Sequence, residues 1–189
     1  MYPQETLSIA ADLVAVCRKK DVLIATAESC TGGLIAAAIT SVSGASAVFE
    51  RGFNTYSNLA KNELLGVSLG DIDAHGAVSS LVARQMAEGA LHAAPAQLTA
   101  AVTGIAGPDG GSKDKPVGTV HIAAAYASNT VQGDLGARQR GYVLRDHRFV
   151  FPGNRDAVRL ATVNEALKMM RELLQPGSRA PYKNALKSC

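Results

Sequence analysis

The sequence predicts an α/β protein, a three-layer α/β/α sandwich on a mixed β-sheet. Three observations carry this. Residues 22–27 and 98–102 are short, almost wholly apolar runs of the kind buried on both faces of a sheet, and each leads into a polar loop. Amphipathic helical patterns flank them. Two later strand-like runs, 117–127 and 138–151, are joined by a segment, 128–136, that suits an antiparallel hairpin, so the sheet is expected to be mixed.

Taken in order, Leu7, Ala10, Ala11, Val14 and Cys17 recur at helical spacing over residues 4–20, and Arg18, Lys19 and Lys20 place cations where the helix dipole favours them. Asp21 separates this helix from the first apolar run, expected as the central strand. A strand-turn-helix junction follows, with Ser29 at the turn and Gly32 and Gly33 opening a helix to about Thr40. In residues 47–57, Phe49, Arg51, Phe53 and Thr55 alternate with polar or small residues, as in a strand near a sheet edge. Ser57 or Asn58 can cap a short helix carrying Lys61, Leu64 and Leu65; residues 66–76 are expected to be mostly loop.

Ser79 suits the N-cap of the next helix, whose stripe of Val82, Met86, Ala90 and Ala93 is narrow enough for close packing on a sheet. The second apolar run leads into a glycine-rich loop, Thr103 to Ser112, and loops at the carboxyl ends of strands are where open α/β sheets place ligands. After the hairpin, Asn154 caps a long helix with Leu160, Val163, Leu167, Met170 and Leu174 inward, stopped by Pro176 and Gly177.

A chain of 189 residues supports one substantial core, so residues 1–175 are expected to form a single domain and 176–189 a short basic tail. The net charge is +3, and the tail's Arg179, Lys183 and Lys187 account for it, leaving the body neutral. Nucleic acid is therefore not an expected partner. Cys17, Cys30 and Cys189 form neither a disulfide framework nor a zinc pattern. With no membrane-spanning run and no secretory leader pattern, a cytoplasmic protein without membrane contact is expected. The small-residue helices and an exposed strand suit a homo-oligomer.

Ser29 stands where α/β enzymes often hold a nucleophile, but a serine hydroxyl needs a base. Of the histidines, His92 lies on a helix, His147 between arginines and His121 between apolar strand residues. His75 is the one left in a loop, with no evident acid to orient it as a triad requires. Lys61 is the other candidate: in the first turns of a helix, the dipole and desolvation both disfavour its charged form. The plainer reading of spacing alone is one surface cation among many. Backbone donors at Thr31, Gly32 and Gly33 could hold an oxyanion or a phosphate, or the glycines could serve only tight packing.

Several blocks together resemble one family: Ala27 to Gly33, Tyr56-Ser57-Asn58 with Lys61, His75 to Ser79, Gly104 to Gly111, and Lys115 to Val120. Their order and spacing are similar to the CinA C-terminal domain family across residues 7–174. The resemblance implies hydrolysis of the carboxamide of nicotinamide mononucleotide to nicotinate mononucleotide and ammonia, with no cofactor or metal. It implies Ser29 as nucleophile, Lys61 as its base and Tyr56 beside them. A mononucleotide also needs a phosphate site. Candidates are Thr31, Gly32 and Gly33, the loop residues Thr103, Gly104, Ala106, Gly107, Gly111 and Ser112, and Arg155, where Asn154 replaces the family's usual acid. Larger CinA proteins carry an N-terminal domain associated with pyrophosphatase activity; that activity is not expected here. A non-catalytic nucleotide-binding or regulatory module is the alternative.

Overall fold

The structure is a computed structural model, and it describes residues 2–127 and 141–175. In chain order the elements are α1 (Gln4–Lys20), β1 (Ile24–Glu28), α2 (Leu34–Thr40), β2 (Phe49–Asn54), α3 (Asn58–Leu65), α4 (Leu69–His75), α5 (Ser80–Ala93), β3 (Leu98–Gly104), β4 (Thr119–Tyr126), β5 (Val143–Val150) and α6 (Arg155–Leu173). The five strands form one sheet in the order β2-β1-β3-β4-β5. β1 runs parallel to β2 and β3, whereas β4 is antiparallel to both β3 and β5. The mixed three-layer sandwich is therefore present, but β3 is its central strand; β1 is interior, one place from the edge. The segment expected to join the hairpin and the basic tail lie outside the described residues.

Strand alternation divides the core between the two faces. Ile24, Leu98 and Ile122 face α1, α2 and α6, where Leu13, Ile35, Ile39, Leu167 and Met170 are buried with them. On the other face Ala27, Ala101, Ala123 and Ala125 meet Val82, Met86 and Ala90 of α5. These sheet positions are all alanine, so α5 can lie close enough for Thr99 Oγ1 to donate 3.0 Å to the Ala87 carbonyl inside it. The helix gives up one backbone acceptor to the sheet, which fixes its axial position.

Two further expectations are corrected. Residues 66–76 are not mostly loop: Ser68 accepts from the Asp71 amide and starts α4, which ends at His75. Only Ile72 of α4 is buried, so the stretch has no apolar repeat to betray it. The edge strand also does not alternate simply. Ile24 pairs with Phe49 but Ala25 pairs with Arg51, so Glu50 is an extra residue. A bulge of this kind reverses the side-chain phase. Phe49 accordingly packs with the α2 face, and Phe53 with the α5 face.

Candidate active site

The site begins where β1 ends. The Glu28 carbonyl accepts from Thr55 N on one side, and Ser29 N donates to the Val102 carbonyl on the other, so neighbouring strands pin the backbone on both flanks of the turn. Successive side chains then leave on opposite faces. Glu28 turns towards α2 and Ser29 towards α3.

Glu28 is only 1% exposed, and its carboxylate takes four hydrogen bonds: from Thr31 Oγ1 (2.7 Å), Gly33 N (3.0 Å), Ile35 N (3.0 Å) and Ala36 N (2.9 Å). The N-cap of α2 is Gly33, which has no side chain to cap with, and Glu28 supplies the missing acceptor from the preceding strand. A negative charge at a helix N-terminus is also electrostatically favourable. Gly32 and Gly33 both have positive φ, 60° and 97°, so the chain reverses tightly enough to bring those amides onto the carboxylate. Gly32 N donates to the Ser29 carbonyl. The amides of Gly32 and Gly33 are thus engaged within the protein. Among the described residues no acceptor meets the amide of Thr31.

On the other face, α3 starts at Ser57, whose hydroxyl accepts from Ala60 N, and its buried side is Lys61 and Leu65. Lys61 is 1% exposed. Its Nζ lies 3.1 Å from Ser29 Oγ, 2.8 Å from the Thr55 carbonyl and 3.3 Å from the Tyr56 carbonyl. Among the described residues no carboxylate pairs with it. Burial accordingly lowers its pKa below the ordinary 10.5. The partner set suits a neutral amine: two N–H groups donate to the two carbonyls, and the lone pair is left for the Ser29 hydroxyl proton. Cys30 adjoins Ser29, but burial pushes its thiol up to about 12, so it is no thiolate at neutral pH.

The Tyr56 side chain is 66% exposed and turns outward. Its hydroxyl accepts from Arg155 Nη2 at 3.2 Å, and Arg155 Nη1 donates to the Gly107 carbonyl at 2.8 Å. Arg155 therefore ties the segment after β2 to the loop after β3, and the three residues share one rim. Thr103 is buried and donates through Oγ1 to the Ala77 carbonyl. Several loop residues have packing reasons for their identity. A Cβ on Gly104 would press on Val120 and the Thr119 carbonyl, and one on Gly107 or Gly111 would press on Val117. Ala106 is buried, while the Ser112 hydroxyl accepts from Lys115 N in a surface turn.

Sequence reasoning singled out neither Glu28's capping role nor Arg159. The Arg159 Nη2 donates 3.0 Å to the Thr31 carbonyl, bracing the turn after Ser29 from α6. Its signal was available: Arg155 and Arg159 are four apart and share a helix face. His75, the loop candidate for a base, instead closes α4, and its carbonyl accepts from Lys115 Nζ. Among the described residues no three His, Cys, Asp or Glu side chains gather as a metal site, and no helix is long and apolar enough to cross a membrane.

Fold and site together define a three-layer α/β/α protein with a serine hydroxyl and a buried lysine hydrogen-bonded at the carboxyl ends of its parallel strands. The chain belongs to the CinA C-terminal domain family, which matches residues 6–174. It is 47% identical over 168 residues to the nicotinamide-nucleotide amidohydrolase PncC of Enterobacter agglomerans, covering 88% of this chain and 94% of that protein. It is 50% identical over 157 residues to a CinA-like protein of Geobacter sulfurreducens, covering 83% of this chain but only 35% of that longer relative. Among solved structures, the competence/damage inducible protein CihA of Agrobacterium tumefaciens superposes with a TM-score of 0.82 at 41% identity, covering 93% of this chain and 99% of that one.

Proposed function

We propose that this chain is a nicotinamide-nucleotide amidohydrolase that converts nicotinamide mononucleotide and water to nicotinate mononucleotide and ammonia through a Ser29/Lys61 dyad. The observation that carries the mechanism is the 3.1 Å contact between Lys61 Nζ and Ser29 Oγ, with burial favouring the neutral amine. The reaction and substrate rest on the similarity to the Enterobacter agglomerans amidohydrolase.

Lys61 takes the Ser29 hydroxyl proton as the oxygen attacks the carboxamide carbon. The carbonyl oxygen gains the negative charge, and backbone amides of the turn after Ser29, with Thr31 N foremost, are its proposed donors. The Lys61 ammonium then returns its proton to the leaving nitrogen, the C–N bond breaks, and ammonia departs from an ester on Ser29. Lys61, neutral again, takes a proton from water, which attacks the ester; its proton returns to Ser29 Oγ as nicotinate mononucleotide leaves. Tyr56 and Arg155 shape the rim over which the nucleotide enters, with Arg155 as a cation for its phosphate.

Ammonia release from nicotinamide mononucleotide by the purified chain tests this, with mass spectrometry for the acyl adduct on Ser29. Turnover that disappears in Ser29→Ala supports the proposal. Absence of turnover on carboxamide nucleotides favours a binding module, and full activity of Ser29→Ala removes the covalent mechanism.

A further inference from the structure

Thr31, two residues after Ser29, is fully buried and is held at both its side chain and its carbonyl. Its Oγ1 donates 2.7 Å to Glu28, and its carbonyl accepts from Arg159 Nη2 at 3.0 Å. Glu28 belongs to β1 itself, whereas Arg159 comes from α6, 128 positions away in the chain. Arg159 thus reaches the turn from the sheet face that packs on α1, α2 and α6, opposite the face from which Lys61 approaches. The guanidinium lies along the turn. A Cβ added to Gly32 would stand 3.7 Å from Arg159 Nη2. With its side chain and carbonyl both engaged, Thr31 has no free rotation, and the backbone leading away from Ser29 is fixed with it.

Fold stability does not account for an arginine here. Its Nε is buried with no hydrogen-bond partner, and its Nη1 is 3.8 Å from Asp156, whose side chain is 90% exposed. A buried N–H without a partner is a net cost, and an exposed carboxylate at that distance contributes little. Against these stands one good hydrogen bond, to Thr31. A residue that stabilises the fold so poorly needs another reason for its identity.

Charge supplies that reason. Glu28 places a buried carboxylate one residue before Ser29, and the carboxamide oxygen gains a second negative charge as Ser29 attacks it. Like charges this close oppose each other. The Cys30 thiol, on the other side of Ser29, registers the local field: burial is the main cause of its raised pKa, Glu28 adds to the rise, and Arg159 and Lys61 oppose it. In the proposed mechanism Lys61 is neutral when attack begins. Arg159 stays protonated, so it is the cation of this set already in place.

We infer that Arg159 is a positioning residue for the reaction: it holds the 29–33 turn in its reactive geometry and offsets the Glu28 charge as the substrate oxygen becomes an anion. It acts through Thr31 and Gly32 and not by contact with Ser29. Arg155, one helical turn earlier, ties the rim through Tyr56 and Gly107, so α6 holds the rim and the turn together. The inference rests on the Ser29 chemistry of the proposed function.

The test compares Arg159→Met and Arg159→Lys with the wild-type chain. The readouts are the denaturant midpoint, kcat and KM for nicotinamide mononucleotide, and the rate at which an alkyl fluorophosphonate labels Ser29, followed by mass spectrometry. Labelling forms an O–P bond at Ser29 Oγ and expels fluoride while the hydroxyl proton passes to Lys61, so it uses the same turn without an amide substrate. Arg159→Met is expected to be at least as stable as wild type, with kcat and labelling rate both lowered about 10–10²-fold and KM changed by less than about threefold. Arg159→Lys restores the charge and is expected to lie between the two in both rates. Rates in Arg159→Met within about twofold of wild type overturn the inference. A loss of rate that only follows a lowered midpoint, or a variant that does not fold, also overturns it, because each assigns Arg159 to stability alone. Where wild type is labelled but releases no ammonia, the amidase reading fails and the labelling rates still decide the role of Arg159. Where wild type neither turns over nor is labelled, the serine mechanism falls and this inference with it.

Discussion

Lys61 Nζ and Ser29 Oγ are 3.1 Å apart although 32 positions separate them in the chain. The contact depends on β1 and β2 being parallel neighbours, so that the turn leaving one strand and the helix following the other meet at the same sheet end. Replacing Lys61 by Met keeps the apolar stem and removes the proposed base. The expected outcome is a fall in kcat of about 10²–10⁴, in line with loss of a general base, with KM little changed. Lys61→Arg should fail similarly, because a guanidinium does not deprotonate. Initial rates of ammonia release measure both.

Activity should also follow the lysine's ionisation. Burial lowers the Lys61 pKa from 10.5, and in the proposed mechanism the neutral amine is the working form. kcat/KM is therefore expected to rise with pH through that lowered value and then level off, and the rising limb should vanish from the residual activity of Lys61→Met. A pH-rate profile checks this.

The same shift has a consequence for stability. The unfolded chain binds this proton more tightly than the folded one, so stability increases as pH climbs from the lowered native pKa towards 10.5. Below the native pKa the burial of a charged amine is a constant cost. Lys61→Met should be more stable than wild type at neutral pH and should lose that part of the pH slope, as read by denaturant midpoints at several pH values.

Glu28→Ala leaves Thr31 Oγ1 and the amides of Gly33, Ile35 and Ala36 without their acceptor. A loss of about 2–4 kcal/mol is expected, since each buried donor left without a partner costs about 1–3 kcal/mol and hydration of the opened site recovers much of the sum over the four. Chemical denaturation gives the number. Reduced kcat in the folded fraction would accompany it, because the same turn carries Ser29.

Gly89→Ala tests the packing behind α3. A Cβ there would overlap the Leu65 carbonyl at the end of the helix that carries Lys61. The expected cost is about 3 kcal/mol or more, because backbone cannot move aside as a flexible side chain can. The thermal midpoint should drop accordingly, and activity with it.

Arg155→Ala should raise KM for the mononucleotide by about tenfold while leaving stability nearly unchanged, since Arg155 is exposed and its hydrogen bonds to Tyr56 and Gly107 lie on the rim. Substrate titrations and a melting curve separate the two effects.

Much of this protein was legible in its residues. Continuous apolar runs marked β1 and β3 as interior strands, Ser57, Ser79 and Asn154 gave three helix starts, and the junction at Ser29 was visible as a strand-turn-helix. These are local properties, set by period and by capping chemistry. Strand order was not local, so β3 and not β1 is central, and the bulge at Glu50, which reverses the faces of Phe49 and Phe53, is a matter of register between two strands. α4 escaped notice because a single buried residue makes no repeat.

The sequence by itself determined that a hydroxyl stands at a strand end beside glycine-rich backbone, and that Lys61 lies near a helix start. Tertiary structure decided what surrounds them. Parallel pairing of β1 with β2 brought the amine to the hydroxyl, and burial without a carboxylate partner lowered its affinity for protons. It also assigned the Gly33 amide to Glu28, a choice no spacing rule reveals. A carboxylate and a ligand compete for the same donors, and only the alternation of β1 side chains about the sheet shows that the carboxylate faces them.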